Sequence, residues 1–127
     1  MKHFALATVL ALSTFTTAAL ADGPTFVRGQ FAARVERGQP VGDEAALSTA
    51  FPLVYWIEMR NPGPSAPVTL VWTFDGRTVA RQSLDVGHGS RWRTWGFLPR
   101  RAAGHTIEVT VLDSAGATLH SDRLEAH

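Results

Sequence analysis

Arg91-Trp92-Arg93-Thr94-Trp95 is the stretch of this sequence best suited to chemistry at a surface. On an extended strand alternate side chains share a face. Arg91, Arg93, Trp95 and Phe97 then point one way, and Trp92 and Thr94 the other. With Trp92 turned to the core, the wet face carries two guanidiniums beside an indole. Guanidiniums pair with carboxylate or phosphate, and an indole attracts cations and stacks on rings. An anionic glycan, a peptidoglycan fragment or an acidic protein patch fits such a face. Arg77 and Arg81, on a neighbouring run, are expected nearby. Trp56 and Trp72 are candidates for a sugar platform, although a Trp in a small β-fold is usually packed, Trp72 above all. The competing account is structural. Arg91 and Arg93 would stack on Trp95 and pair with Glu58 or Glu108 on adjacent strands, each pair stabilising the sheet by roughly 0.2–1 kcal/mol.

Other chemistries find little support. His88, His105, His120 and His127 are not in a tight ligand spacing, and no acid joins them in a recognisable motif. Gly-x-Ser-x-Gly, a phosphate loop and a Gly-rich dinucleotide turn do not occur. Gly87-His88-Gly89-Ser90 sets a His beside a Ser, but adjacent turn residues rarely make a base and nucleophile with an orienting acid. The expectation is a protein without catalysis, metal or cofactor.

The first 21 residues read as a secretory leader: Lys2, an apolar run from Phe4 to Leu12, and the small-x-small site Ala19-Leu20-Ala21. The run is broken by Ser13, Thr14, Thr16 and Thr17, too short for a span of roughly 20 apolar residues. A periplasmic or secreted location follows. The remainder, about 106 residues from Asp22, has the size of one domain. With no Cys, it is held by packing and backbone hydrogen bonds. Beyond the leader, 11 Arg balance 11 Asp and Glu. The charge is uneven: between Arg77 and Arg101, six Arg face Asp85 alone, a local +5. That suits a basic patch on a neutral protein rather than nucleic-acid binding.

These residues need a scaffold of strands. Val27, Phe31, Ala33 and Val35 alternate with Arg28, Gln30, Arg34 and Glu36, predicting a strand over Phe26 to Glu36. Gly38 to Asp43 reads as loop, and Glu44 to Ala50 as a helical turn or an irregular link. Leu53 to Arg60 is apolar on both faces at its start, which predicts a central strand. Asn61 to Pro67, with three prolines, ends it. Two runs flank Asp75-Gly76, the dipeptide of a type I′ hairpin. A two-residue loop pairs Trp72 with Val79, Val71 with Ala80 and Leu70 with Arg81. Leu84 and Val86 then fall out of phase with Val79, so a bulge or a change of sheet is needed near Gln82. Further strands are predicted over Arg91–Phe97, His105–Leu112 and Ala117–Leu124. Seven short strands indicate an all-β, antiparallel, Ig-like sandwich.

In order along the chain stand Arg28-x-x-Phe31, Gln39-Pro40, Val54-Tyr55-Trp56-x-Glu58-x-Arg60-Asn61, Trp72-x-Phe74-Asp75-Gly76, Val86-Gly87, Arg91-Trp92-Arg93-x-Trp95 and Gly104-x-x-x-Val109-x-Val111-x-Asp113-x-x-Gly116. This pattern resembles the bacterial family catalogued as domain of unknown function 2914, over nearly all of the chain after the leader. Gly96 departs from it, where a Ser is expected, as does His105-Thr106, where an aromatic often follows the Gly. The resemblance implies an extracytoplasmic β-domain and supplies no established activity. The leading expectation is an exported, non-catalytic binding module acting through Arg91, Arg93 and Trp95. The alternatives are a structural or assembly subunit of a cell-envelope complex that pairs through a strand edge, and a periplasmic metal-handling protein.

Overall fold

A computed structural model describes residues 23–127, so the leader expected over residues 1–21 lies outside the described residues. Among the described residues the chain is all-β apart from one short helix. Its elements are β1 (Thr25–Ala32), β2 (Arg34–Glu36), β3 (Gln39–Val41), α1 (Glu44–Thr49), β4 (Leu53–Asn61), β5 (Ala66–Phe74), β6 (Arg77–Val86), β7 (Gly89–Leu98), β8 (Thr106–Leu112) and β9 (Thr118–Glu125). Among the described residues nine strands replace the expected seven. A three-stranded sheet runs β1-β4-β7 and a four-stranded sheet β6-β5-β8-β9, all pairs antiparallel.

The two sheets share one core. Tyr55, Ile57 and Met59 of β4 meet Leu70 and Trp72 of β5 and Ile107, Val109 and Val111 of β8, all fully buried. The Phe31 ring lies edge-on to Tyr55 at 5.0 Å and tilted against Trp72 at 6.4 Å. Period two in each strand supplies these residues to one face, as alternation requires. β4 is central, as its two-faced apolarity predicts.

The two added strands come from a segment expected as the end of one strand plus a loop. The chain breaks after Ala32, and β2 and β3 form a small hairpin of their own. Arg37 (φ 52°) and Gly38 (φ 76°) make its turn in the left-handed region. An Arg at a positive φ carries no sequence signal. The helix α1 is real: the Asp43 side chain accepts from the Ala46 backbone N–H at 2.9 Å and caps it.

Bulges reset two expected faces. In β1 the register shifts between Phe26 and Arg28. Val27 is extruded and exposed, and Phe26 takes its place against the core. In the β5–β6 hairpin, Asp75 (φ 50°) and Gly76 (φ 85°) make the expected turn. Phe74 pairs with Arg77 and Thr73 with Thr78, but Trp72 pairs with Ala80 and Leu70 with Gln82. The extra residue is Val79. The expected bulge therefore exists, nearer the turn than Gln82, and it displaces the expected register by one. Ala80, Gln82, Leu84 and Val86 thereby turn inward with Val79.

Both sides of the sandwich are closed by side chains. On one, the Gln82 carboxamide of β6 bonds the backbone of Phe97 in β7 and also receives the Trp72 indole N–H at 3.1 Å. On the other, Phe26 stacks on His120 of β9 at 4.2 Å. There the buried Tyr55 hydroxyl also donates to Asp122 Oδ2 at 3.1 Å. Burial, reinforced by the Asp122 carboxylate, pushes the Tyr55 phenol well above its ordinary range.

Candidate functional site

The outer face of the three-stranded sheet is built from register. Opposite positions on β4 and β7 are Val54 and Phe97, Trp56 and Trp95, and Glu58 and Arg93. On the other side, Gln30 of β1 lies opposite Trp56 and Arg28 opposite Glu58. The bulge at Val27 keeps Arg28 on this face. A second irregularity sets both Ser90 and Arg91 of β7 against Arg60 of β4, since Met59 pairs with Trp92 and Asn61 with Gly89. Extra length at that point leaves Arg91 well exposed.

Glu58 sits at the centre of this face. Its side chain is only 5% exposed, and three guanidiniums converge on it. Arg28 Nη2 donates to Oε1 at 3.2 Å. Arg93 Nε lies 3.6 Å from the same oxygen, and Arg91 Nε 3.7 Å from Oε2. A buried carboxylate without partners would be costly, which is why it recruits cations. Yet three cations on one acid leave two positive charges unmatched. Arg60, exposed two positions along β4, adds a third. Arg93 Nε is buried and makes no hydrogen bond among the described residues, because 3.6 Å is beyond bonding reach.

Neighbours hold the cluster in place. The Arg28 guanidinium lies over the Trp56 ring, 4.9 Å from its centroid, so one Arg spans the indole and the carboxylate. The β2–β3 hairpin folds onto the same face, and the Trp56 indole N–H donates to the Gly38 carbonyl at 2.9 Å. Along β7 the face grades from Phe97 (44% exposed) through half-buried Trp95 to Arg93 and Arg91. Beyond Arg91 opens a cleft of about 330 Å³ lined by Arg60, Asn61, Pro62, His88, Gly89 and Ser90.

The structure thus groups Arg91, Arg93 and Trp95 as expected and adds Arg28 and Glu58. Sequence reasoning put Arg28 on a wet face but did not join it to β7. The expected pairing with Glu58 is present. Glu108 instead lies in the other sheet, 3.8 Å from Arg123. Other expectations need correction. Trp56 is fully buried beneath Arg28 and the hairpin, so its ring offers no sugar platform. Trp72 is core. Trp92 faces the core side but is 39% exposed, because it ends the sheet with its ring against the Gly87 backbone. Arg81 stands opposite Val71, on the outer face of the four-stranded sheet and hence on the far side of the molecule from Arg91. Arg77 lies at the Asp75-Gly76 turn, in a different cleft. Neither joins the Glu58 cluster.

Among the described residues, no three His, Cys, Asp or Glu side chains come together as a metal site would require. No helix among them is long and apolar enough to cross a membrane.

Two antiparallel sheets on a shared core, with an arginine cluster on one outer face, make the described residues an all-β domain. Over residues 65–124 the chain matches the model of the family described as protein of unknown function (DUF2914). The span is shorter than the resemblance suggested: it takes in β5 to β9, while Arg28, Trp56 and Glu58 precede it. No curated protein matches the chain.

Proposed function

We propose that the protein is an exported, non-catalytic binding module whose outer β1-β4-β7 face takes an anionic glycan or an acidic protein surface. One observation carries this reading. Arg28, Arg91 and Arg93 share the single buried acid Glu58, so the face holds positioned cations in excess of their internal partner. Were the cluster only structural, one or two arginines would satisfy Glu58. The grading from Phe97 and Trp95 to Arg93 and Arg91 suits a ligand with a ring to stack and a carboxylate or sulfate to pair. The leader-like segment supports export, and the absence of catalytic motifs a non-catalytic role. The seven longer strands also read as Ig-like: the first, second and fifth face the fourth, third, sixth and seventh.

The test is calorimetric titration with a uronic-acid oligosaccharide and with its neutral counterpart. The acidic chain should bind, with an affinity that falls as salt rises. Arg91→Ala with Arg93→Ala should remove that binding with the fold intact. Equal binding of both oligosaccharides, or binding that survives the double change, overturns the reading.

A further inference from the structure

A second cluster of cations stands apart from Glu58, at the Asp75-Gly76 turn. A cleft of about 290 Å³ is lined there by Phe74, Asp75, Arg77, Val79 and Arg100. We propose that this cleft is a separate binding site for one compact oxyanion group, a phosphate or sulfate.

The turn that makes the cleft is locked from a distance. Asp75 Oδ1 accepts the Thr106 backbone N–H at 2.9 Å, and Oδ2 pairs with His105 Nδ1 at 2.7 Å. The Asp75 N–H also donates to the Thr106 carbonyl. The Thr106 N–H first, and His105 next, hold the Asp75 carboxyl below its ordinary range. Both oxygens of the cleft's one acid are therefore engaged toward β8. Its charge is answered by its own partners rather than by the arginines.

Arg77 and Arg100 are not answered. Among the described residues neither forms an ion pair. The Arg100 guanidinium lies over the Phe74 ring, 5.7 Å from its centroid. That ring in turn packs on His105 at 4.3 Å. Asp75, His105, Phe74 and Arg100 form a continuous stack that brings one guanidinium to the cleft. Arg77 follows the turn directly and lines the same cleft. The extra residue of the β6 bulge, Val79, forms the wall between them and the core.

Two guanidiniums in one small cleft match the geometry of a tetrahedral oxyanion, which takes forked N–H donors on several oxygens. Phe74 already carries His105 and Arg100, so the site does not also call for a ring. A cleft of this volume admits a terminal phosphate or sulfate group, inorganic or esterified to a sugar.

The experiment is a two-dimensional amide NMR titration of the purified chain. Inorganic phosphate, inorganic sulfate and a sugar monophosphate are each compared with sodium chloride at equal ionic strength. Saturable shifts centred on Gly76, Arg77 and Thr106 are expected, at least tenfold weaker in Arg77→Gln with Arg100→Gln. Arg91→Ala with Arg93→Ala should leave them unchanged, so this site and the Glu58 face stand or fall separately. A stronger response to the sugar ester than to both inorganic ions identifies an esterified ligand, and the reverse a free ion. Linear shifts matched by chloride, or shifts that persist when the two arginines are replaced, overturn the proposal. Both side chains are exposed, and Arg77→Gln alone repeats the test should the double change disturb the turn.

Discussion

The carboxamide of Gln82 lies against the peptide of Phe97 as a neighbouring strand would. Nε2 donates to the Phe97 carbonyl, and Oε1 accepts the Phe97 N–H at 3.1 Å. A side chain thus continues the ladder from β6 to β7, joining the edges of two sheets. The same Oε1 accepts the Trp72 indole N–H from a fully buried ring. Gln82→Ala should therefore strip three hydrogen bonds and leave the indole unanswered. A loss of about 1–3 kcal/mol is expected in urea unfolding followed by Trp fluorescence. A variant as stable as the parent would show the contact to be incidental.

Gly96 makes room for that contact. A Cβ there would stand 2.7 Å from Leu70 Cδ1 and closer still to Gln82 Oε1. Gly96→Ala should cost about 1–3 kcal/mol as an overpacked core change. Part of that cost should disappear in a Gln82→Ala background, because the two changes share one space, while the contact with Leu70 remains. Simple additivity of the two would contradict this.

Replacing Glu58 separates the two accounts of the arginine face. Glu58→Gln removes the acid that Arg28, Arg91 and Arg93 share. It should lower stability by about 1–2 kcal/mol, a modest figure because the arginines are partly exposed. At the same time it should tighten the binding of an acidic oligosaccharide, by roughly tenfold or less, since the competing internal carboxylate is gone. Unchanged or weaker binding would mean that Glu58 positions the guanidiniums more than it competes for them.

Tyr55 is the sole tyrosine, so any phenolate absorbance is its own. Burial and Asp122 raise its phenol well above the unfolded value of about 10. The native state then keeps a proton that the unfolded state loses. Stability conferred this way is complete below about pH 10 and declines as pH rises above it. No phenolate signal should appear before unfolding, and the two should rise together. Tyr55→Phe should flatten the alkaline decline in stability. A gradual titration of the native protein near pH 10 would refute the assignment.

Asp75 has the opposite sign. Its carboxyl is depressed by Thr106 and His105, so its contribution is present above the ordinary carboxylate range and lost as pH falls through the lowered value. Asp75→Asn should reduce the acid slope of stability without altering the alkaline one. Since Asn tolerates the positive φ of the turn, the hairpin should survive. An unaltered acid limb would show that the lock contributes nothing.

The sequence was most legible where local chemistry decides. Asp75-Gly76 carries its own turn type, and the alternation of Leu53 to Met59 carries a buried face. Strand parity alone put Arg91 and Arg93 on one side with Trp95. What it could not supply came from single-residue slips. Val79 and Ala80 are both small and apolar, so neither betrays which is extruded. Phe26 and Val27 pose the same ambiguity. The β2–β3 hairpin hid behind Arg37 at a positive φ and a Pro within β3. Gln82 resembles any polar strand residue until β7 is brought alongside, and Arg77 and Arg81 part company only once the sheets are assigned.

The pairing of β4 with β7 is a long-range one. These strands are neighbours in space, but the whole β5–β6 hairpin is threaded between them in the chain. Their union must close a long loop, an entropic toll that the hairpins β5–β6 and β8–β9 largely escape. Non-local pairing of this kind slows folding. The docking of β7 joins Arg91 and Arg93 to Glu58 and seats Gln82 on Phe97. Until that moment Glu58 is a carboxylate without most of its cations, so the arginine face is assembled only by the completed fold.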